Sequence, residues 1–534
     1  MLGGMQDYEL RVPGLLDHAA REHGGREIVS HWADGSETRT DWAGIAADAR
    51  RLAQALVRLG LKRGDRVATL AMNHGHHLAA WYGTIGMGGV IHTINPRLFD
   101  DQLVYIANHA GDRVLLYDRA FHPIVDRLRD QWTTIEHYVV MDGEQEGGGD
   151  HSFRALVDAE DGDFAWATGP ERDPCMLCYT SGTTGNPKGV LYEHRSTVLH
   201  AMTVVTPAVL SMSPASVLLP VVPLFHAAAW GTPFAAAMAG AKIVFSAVND
   251  PVVLCGLMNR EKVTISSGVP TVWLALFAHI DATGEAPRHL KLATIGGSAA
   301  PRAMIDRLLD MGVEVKHLWG MTETSPVATA GAPPEGWDDW TRDERLDLLT
   351  KQGQIPYGVE LDIRDDDERS LPRDGVSSGR LHVRGPWVVK RYFGGDADAI
   401  DADGWFDTGD VAVIHPDGTM QITDRSKDVI KSGGEWISSV ELENAVVGCP
   451  GVAEAAAIGI HHPRWDERPL LIVVAKPDAA VTRQEIMTHL GTQVAKWWLP
   501  DAIEFVDDLP HTATGKLLKT ALRERFKDYR LETA

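Results

Sequence analysis

Apolar positions recur along this chain with two different periods. Between residues 42 and 59, Ile45, Ala49, Leu52, Leu56 and Leu59 fall at helical spacing, while Arg50, Arg51 and Arg58 take the other side. Gly60 ends that helix, and Gly64-Asp65 turns into an apolar strand, Val67–Leu70. A second helix-like stretch follows, then Gly88-Gly89-Val90-Ile91. Strand and helix signals keep alternating through Val114–Tyr117, Ile243–Phe245 and Leu292–Ile295, which predicts an α/β domain with a largely parallel sheet. There is no internal repeat, and the one low-complexity tract, Glu144–Asp150, reads as an exposed loop.

From about residue 354 the texture changes. Short β-like pieces (Leu361–Ile363, Leu381–Arg384, Val411–Ile414, Met420–Ile422) are divided by turns such as Pro416-Asp417-Gly418. They predict an antiparallel β subdomain over about 354–424. After Asp424-Arg425-Ser426-Lys427-Asp428 the mixed pattern returns, with helix-like segments at 438–447 and 483–495. The expected class is α/β: a large N-terminal domain, residues 1–426, of α/β subdomains plus the β subdomain, then a small α+β C-terminal domain, residues 427–534.

Length and composition fit that division. A chain of 534 residues is too long for one simple core, and 44% hydrophobic with 23% charged residues is the composition of an ordinary globular protein. Against 51 Lys and Arg stand 73 Asp and Glu, a net charge of −22. Such a surface disfavours nucleic acid or anionic membrane as a general partner, so a polyanionic ligand must be held by a local set of donors. Four cysteines are too few for a disulfide framework and suit a reducing compartment. Cys175 and Cys178 form a lone CxxC in an apolar run and read as buried strand thiols. Residues 1–20 carry Asp7, Glu9, Arg11 and Asp17 without an apolar stretch, and no uncharged run has the apolarity of a membrane span. No stable membrane insertion is expected, and the cytoplasm is the expected location.

The candidate chemistry starts at Tyr179-Thr180-Ser181-Gly182-Thr183-Thr184-Gly185-Asn186-Pro187-Lys188-Gly189-Val190. Leu177–Tyr179 reads as the end of one strand and Val190–Tyr192 as the start of another. Glycines let the backbone approach phosphate oxygens, hydroxyls add donors, and lysine adds a mobile positive charge. It is not a Walker A loop, because the lysine follows proline and a strand-like run comes next.

The whole string resembles the phosphate loop of the adenylate-forming superfamily, which holds acyl-CoA synthetases, the adenylation domains of peptide synthetases, and luciferases. Further strings match that superfamily in order over nearly the whole chain. They are Gly296–Pro301, His317-Leu318-Trp319-Gly320-Met321-Thr322-Glu323-Thr324, Gly404–Asp410, Lys431–Ser438 and Thr512-Ala513-Thr514-Gly515-Lys516.

The resemblance implies a role for each. Thr180, Ser181, Gly182, Thr183, Thr184 and Lys188 would bind ATP phosphates. Gly297 would approach the nucleotide by its backbone, with His317 beside it; Trp319 would stack on adenine and Thr322 would meet phosphate. Glu323, with Thr180 as second protein contact, would hold Mg²⁺, a hard cation that prefers oxygen. Asp410 and Arg425 would take the ribose. Lys516 would bridge carboxylate and α-phosphate as the main catalytic lysine. Lys427 would be the hinge of a mobile C-terminal domain, and Lys431, Gly434 and Trp436 would meet nucleotide or coenzyme A in a second domain orientation. His226 and Trp230, four apart and so on one helical face, would line the acid pocket.

What this implies is an acid–CoA ligase: acyl-AMP forms first, then the acyl group passes to coenzyme A. The nearest branch resembles medium-chain fatty acyl-CoA and 3-methylmercaptopropionyl-CoA ligases, judged by Glu-Trp-Ile-Ser at 435–438, the His226/Trp230 pair and His92–Leu98. Substrates would be a small carboxylic acid, ATP and CoA, and relatives suggest a homodimer. The alternatives are adenylation of an aryl acid, loading of a non-CoA acceptor, luciferase-like oxygenation, or nucleotide sensing without catalysis. One departure is Gly379-Arg380-Leu381 where many relatives carry Gly-Glu-Leu; a local salt bridge is expected there.

Overall fold

The alternating pattern ahead of residue 350 builds two sheets. In the computed structural model, which describes residues 3–142, 151–180, 186–433, 435–477, 479–511 and 517–531 (backbone only at 435 and 436), the first has eight strands. Edge to edge they are Val327–Ala330, Glu314–Gly320, Leu292–Ile295, Ile265–Gly268, Val217–Pro220, Lys242–Ser246, Glu27–His31 and Glu37–Asp41. Only the two outermost pairings are antiparallel. The second sheet runs His151–Ser152, His137–Val140, Asp112–Tyr117, Arg66–Leu70, Val90–Thr93, Pro174–Tyr179 and Gly189–Glu193, parallel except at its last pair. Strands buried on both faces carry continuous apolar runs, as Ile243–Phe245 does.

Helices cover these sheets for the reason the periodicity gives. Trp42–Arg58 buries Ile45, Ala49, Leu52 and Leu56 on one face, and Asp41 caps it by accepting a 2.8 Å hydrogen bond from Gly44 N–H. The two sheets are stapled by Asn73. Its Nδ2 donates to the carbonyls of Pro220 and Val222, both at 3.0 Å, and its Oδ1 accepts from Leu224 N–H at 2.7 Å. That staple fixes the start of the segment that leads to His226.

The predicted β region is a four-stranded antiparallel sheet, Glu360–Arg364, Gly379–Arg384, Phe406–Ile414 and Met420–Arg425. Beyond it lies a smaller α+β unit with its own core, built on Ile430–Ser432, Glu435–Ile437, Val452–His462, Asp466–Ala475 and Ala502–Phe505. Ser439–Val447 is a helix, with Ser438 Oγ accepting from Glu441 N–H at 3.1 Å. The expected helix at 483–495 is shorter, Arg483–Leu490: Gly491 follows, and the chain turns there.

The small unit meets the β sheet beside the chain crossover. Asp424, fully buried, accepts from Ser439 N–H at 2.6 Å and Oγ at 2.9 Å. Ser438 Oγ donates to Thr423 O. Lys519 donates to Ser439 Oγ at 2.5 Å and pairs with Glu443 at 2.7 Å.

Candidate active site

Four elements converge on one group of polar side chains. Trp319 lies near the end of strand Glu314–Gly320, and its indole Nε1 donates to Asp410 Oδ2 at 2.9 Å. Asp410 is 2% exposed and holds Arg425 Nε at 2.8 Å through Oδ1. The strands carrying them pair with Asp410 opposite Arg425 in register. A carboxylate is thus buried between an aromatic and a guanidinium that is itself 43% exposed. Gly320 follows Trp319, and a Cβ there would lie 1.8 Å from Pro326 O, so the close return of the chain after Glu323 requires glycine.

Glu323 sits in the short turn Thr322–Thr324 and is 7% exposed. Tyr392 Oη donates to its Oε1 at 2.8 Å, and its backbone carbonyl accepts from Val389 N–H at 2.7 Å. Burial raises the pKa of this carboxyl above the usual range; the Tyr392 hydrogen bond and the charges of Arg425 and Lys188 oppose that. Lys188 Nζ stands 4.8 Å from the centroid of the Tyr392 ring. At the base of the loop, Thr180 N–H donates to Lys188 O at 2.9 Å, and Thr180 Oγ1 accepts from Lys188 N–H at 3.3 Å. Ser181, Gly182, Thr183 and Thr184 lie outside the described residues, as do Gly434 and Lys516.

Thr322 is buried, and its carbonyl accepts from Tyr192 Oη at 2.7 Å, which ties the strand after the loop to the Glu323 turn. His317 is buried as well. Its Nδ1 lies 3.1 Å from Thr350 O and its Nε2 3.5 Å from Gln352 Nε2, and burial lowers its pKa to about 4. The imidazole is therefore neutral and engaged with the segment around Thr350.

The neighbouring pocket wall departs from the helical expectation. His226 and Trp230 do not share a right-handed helical face, because Ala227, Ala228, Ala229, Trp230 and Gly231 all have positive φ, from 43° to 71°. Close packing requires glycine at the end of this turn, because the His200 ring lies 2.6 Å from where a Cβ on Gly231 would stand. Left-handed geometry costs about 1–2 kcal/mol for each non-glycine residue, so the surrounding packing must hold this turn in place. His200 Nε2 in turn accepts from Val327 N–H at 3.1 Å, and burial keeps it neutral with a pKa near 3. Trp230 is 7% exposed, and its ring tip is 3.2 Å from where a Cβ on Gly296 would stand. The same point is 3.2 Å from Leu318 O, so the Trp230 wall and the Trp319 strand meet at Gly296. Gly297, next in line, has φ +84°.

Lys427 lies in the exposed turn between Met420–Arg425 and Ile430–Ser432, its pKa lowered by partial burial against the pull of Asp428. Asp428 accepts from Arg523 at 2.6 Å. Lys431 is exposed in the hairpin, opposite Trp436 in register, and its N–H donates to Glu467 Oε2 at 2.9 Å. Arg380 makes a local pair with Glu368 and lies 3.7 Å from Asp407. Cys175 and Cys178 are fully buried, and burial pushes their thiols up to about 12 and about 11. Sequence reasoning missed Tyr392, Tyr192 and His200. For Tyr392 the available signal was Lys390-Arg391-Tyr392-Phe393, a phenol beside two cations shortly before the Asp410 string.

Two family models match the chain: "AMP-binding enzyme" over residues 16–393 and "AMP-binding enzyme C-terminal domain" over 441–516. Among curated proteins, the 3-methylmercaptopropionyl-CoA ligase of Ruegeria lacuscaerulensis is 49% identical, covering 99% of both chains. The medium-chain-fatty-acid–CoA ligase of Ectopseudomonas oleovorans is 46% identical over 100% of this chain and 99% of its own length. Among solved structures, the anthranilate CoA ligase AuaEII with anthranoyl-AMP superposes with a TM-score of 0.88 at 26% identity, covering 98% of this chain and 99% of its own. ATP-bound MatB from Rhodopseudomonas palustris gives 0.82 at 26% identity, with 97% and 99% covered.

Proposed function

The chain belongs to the AMP-binding enzyme family, and on that footing we propose that it is an ATP-dependent acid–CoA ligase. The acid we assign is a short- or medium-chain fatty acid or a thioether acid such as 3-methylmercaptopropionate. The observation that carries the reading is the buried Asp410, held between Trp319 and Arg425, with Glu323, Tyr392 and Lys188 on one side and the Trp230 wall meeting the same strand at Gly296. A nucleotide site and an acid pocket sharing one strand suit attack of a carboxylate on the α-phosphate of ATP, with loss of pyrophosphate.

In this reading Asp410 accepts from the ribose hydroxyls, Arg425 covers the sugar, and Trp319 offers its ring to adenine. Thr180, Ser181, Gly182, Thr183, Thr184 and Lys188 hold the phosphates, with Thr322 and the backbone at Gly297 closing the nucleotide site. His317 backs it as a neutral support. Lys516 orients the two anions in the adenylation step. Glu323 and Thr180 are hard oxygen donors and fit Mg²⁺, which keeps waters and substrate phosphates as its other ligands and would neutralise phosphate charge when bound. Rotation of the small domain, residues 427–534, about Lys427 then brings Lys431, Gly434 and Trp436 to the site for attack by the CoA thiol. His226 and Trp230 line the acid pocket. We place the enzyme in the cytoplasm, as a homodimer; among the described residues no helix is long and apolar enough to cross a membrane.

The test is AMP release with a panel of acids from propionate to palmitate, with 3-methylmercaptopropionate and cinnamate, in the presence and absence of CoA. CoA-dependent AMP release with an aliphatic or thioether acid is the expected result; pyrophosphate exchange without thioester would sink the ligase reading. An aryl acid is the competing substrate, because the anthranilate ligase shares the fold so closely. Lys516→Ala is expected to abolish acyl-AMP formation while sparing thioester formation from supplied acyl-AMP, and Lys188→Ala to harm the first step less.

A further inference from the structure

Tyr392 is given no substrate contact in the reading above, yet it touches both halves of the phosphate site. Its hydroxyl donates to Glu323 at 2.8 Å while its ring carries the Lys188 ammonium at 4.8 Å. The chain around it is pinned to both partners as well. Val389 N–H donates to Glu323 O at 2.7 Å, and Phe393 N–H donates to Gly189 O at 2.8 Å, next to Lys188. The tyrosine is itself fixed by an edge contact with Phe406, at 6.5 Å between ring centroids, on the strand that carries Asp410. One residue thus joins the phosphate-loop lysine, the buried glutamate and the Asp410 strand.

We propose that Tyr392 is a positioning residue for adenylation, acting through two other side chains. Its hydroxyl holds one oxygen of the Glu323 carboxylate and so sets how the other is presented, and its ring holds the Lys188 ammonium beside the site until phosphate oxygens draw it away. A neutral phenol donor fixes one carboxylate oxygen by a directional hydrogen bond without adding a charge to the site. The ring's negative face attracts an ammonium that has no phosphate to meet, by an amount phosphate contacts readily exceed. The proposal rests on the ligase reading only in supposing that Glu323 serves the metal and Lys188 the phosphates.

Two variants separate the parts. Tyr392→Phe keeps the ring and loses the hydroxyl; Tyr392→Leu loses both. In the ligand-free protein, acylation of Lys188 by an activated ester, read by peptide mass spectrometry, is expected to match wild type in Tyr392→Phe and to run about three-fold faster in Tyr392→Leu. In ATP–pyrophosphate exchange, Tyr392→Phe is expected to lower kcat about ten-fold with KM for ATP nearly unchanged. Binding of Mn²⁺ in the presence of ATP, followed by electron paramagnetic resonance, is expected to weaken about ten-fold in the same variant. The proposal is overturned if Lys188 labels at the wild-type rate in Tyr392→Leu. It is equally overturned if Tyr392→Phe leaves kcat and Mn²⁺ binding unchanged, or if losses in both variants only follow a lowered melting temperature. The labelling and Mn²⁺ arms need no acid and no CoA, so they decide Tyr392 even if the wild-type protein makes no acyl-CoA.

Discussion

Asp410 and Asp424 stand on neighbouring strands, close in register, and both are almost wholly buried. Successive residues on a strand face opposite ways, so Asp424 points away from the side its neighbour Arg425 takes. Asp410 is held by an indole and by a guanidinium that remains 43% exposed. Asp424 is enclosed: Ser439 donates to it twice, and Lys519, 8% exposed, links Ser439 to Glu443. The first cluster reaches solvent through Arg425, the side on which the proposed nucleotide would enter. The second is closed on itself and holds the small unit against the β sheet. Changes in the first should therefore appear in turnover, and changes in the second in stability.

The largest expected effect tests the closed cluster. Lys519→Met leaves Glu443 buried without its ammonium, and urea unfolding at neutral pH should show a loss of about 3–5 kcal/mol. Pyrophosphate exchange by the protein that remains folded should change little; a loss of exchange without a loss of stability would break the comparison. Next comes Asp410→Asn, which keeps the shape but removes the charge. Its kcat/KM for ATP should fall about 100-fold, about 2.7 kcal/mol, with the melting temperature almost unmoved.

Acid sharpens the contrast. Burial lowers the pKa of His76, His77, His194, His200 and His317, all before residue 350, to about 4, 3, 3, 3 and 4. A folded-state pKa below the unfolded value means the unfolded chain takes up protons first. The stability these neutral imidazoles contribute is full above about pH 6.5 and falls towards pH 4–3, by at most about 1.4 kcal/mol per pH unit for each. Buried Glu443 and Asp424, with raised pKa values, act in the opposite direction around the small unit. Hydrogen exchange at pH 7 and pH 4.5 should show residues 194–205 and 314–320 loosening before 439–447. The smallest effect is that of Trp319→Phe, which keeps a stacking ring and removes the donor to Asp410. The expected rise in KM for ATP is about five-fold, or about 1 kcal/mol.

Much of the scaffold was legible because period and burial coincide. Leu292–Ile295 is a strand with the predicted bounds, and the helix from Trp42 buries four of the five positions that the spacing selects, the fifth, Leu59, falling at its C-cap. The helix at 483–495 was overextended because apolar Val494 continues the pattern past Gly491, which ends it. The turn Ala227–Gly231 was unreadable in kind: the four-residue spacing of His226 and Trp230 suggests a right-handed helix, and the left-handed backbone depends on packing, such as His200 against Gly231, that spacing does not reveal. In the site, Trp319, Asp410 and Arg425 belong to strings that name themselves, and the structure brings them together. Tyr392 escaped because its partners lie far away in sequence, Glu323 sixty-nine residues back and Lys188 further still. Lys519 escaped for the same reason, since its partner Glu443 lies on a different helix.

All four cysteines are free and buried. CoA is itself a thiol, and in air it oxidises and exchanges with whatever thiolate a protein offers. At pH 8, a group with a pKa near 11 is ionised about once in a thousand molecules, and burial closes the approach as well. With CoA as the proposed thiol substrate, Cys175 and Cys178 should therefore escape capping as mixed disulfides with its oxidised form.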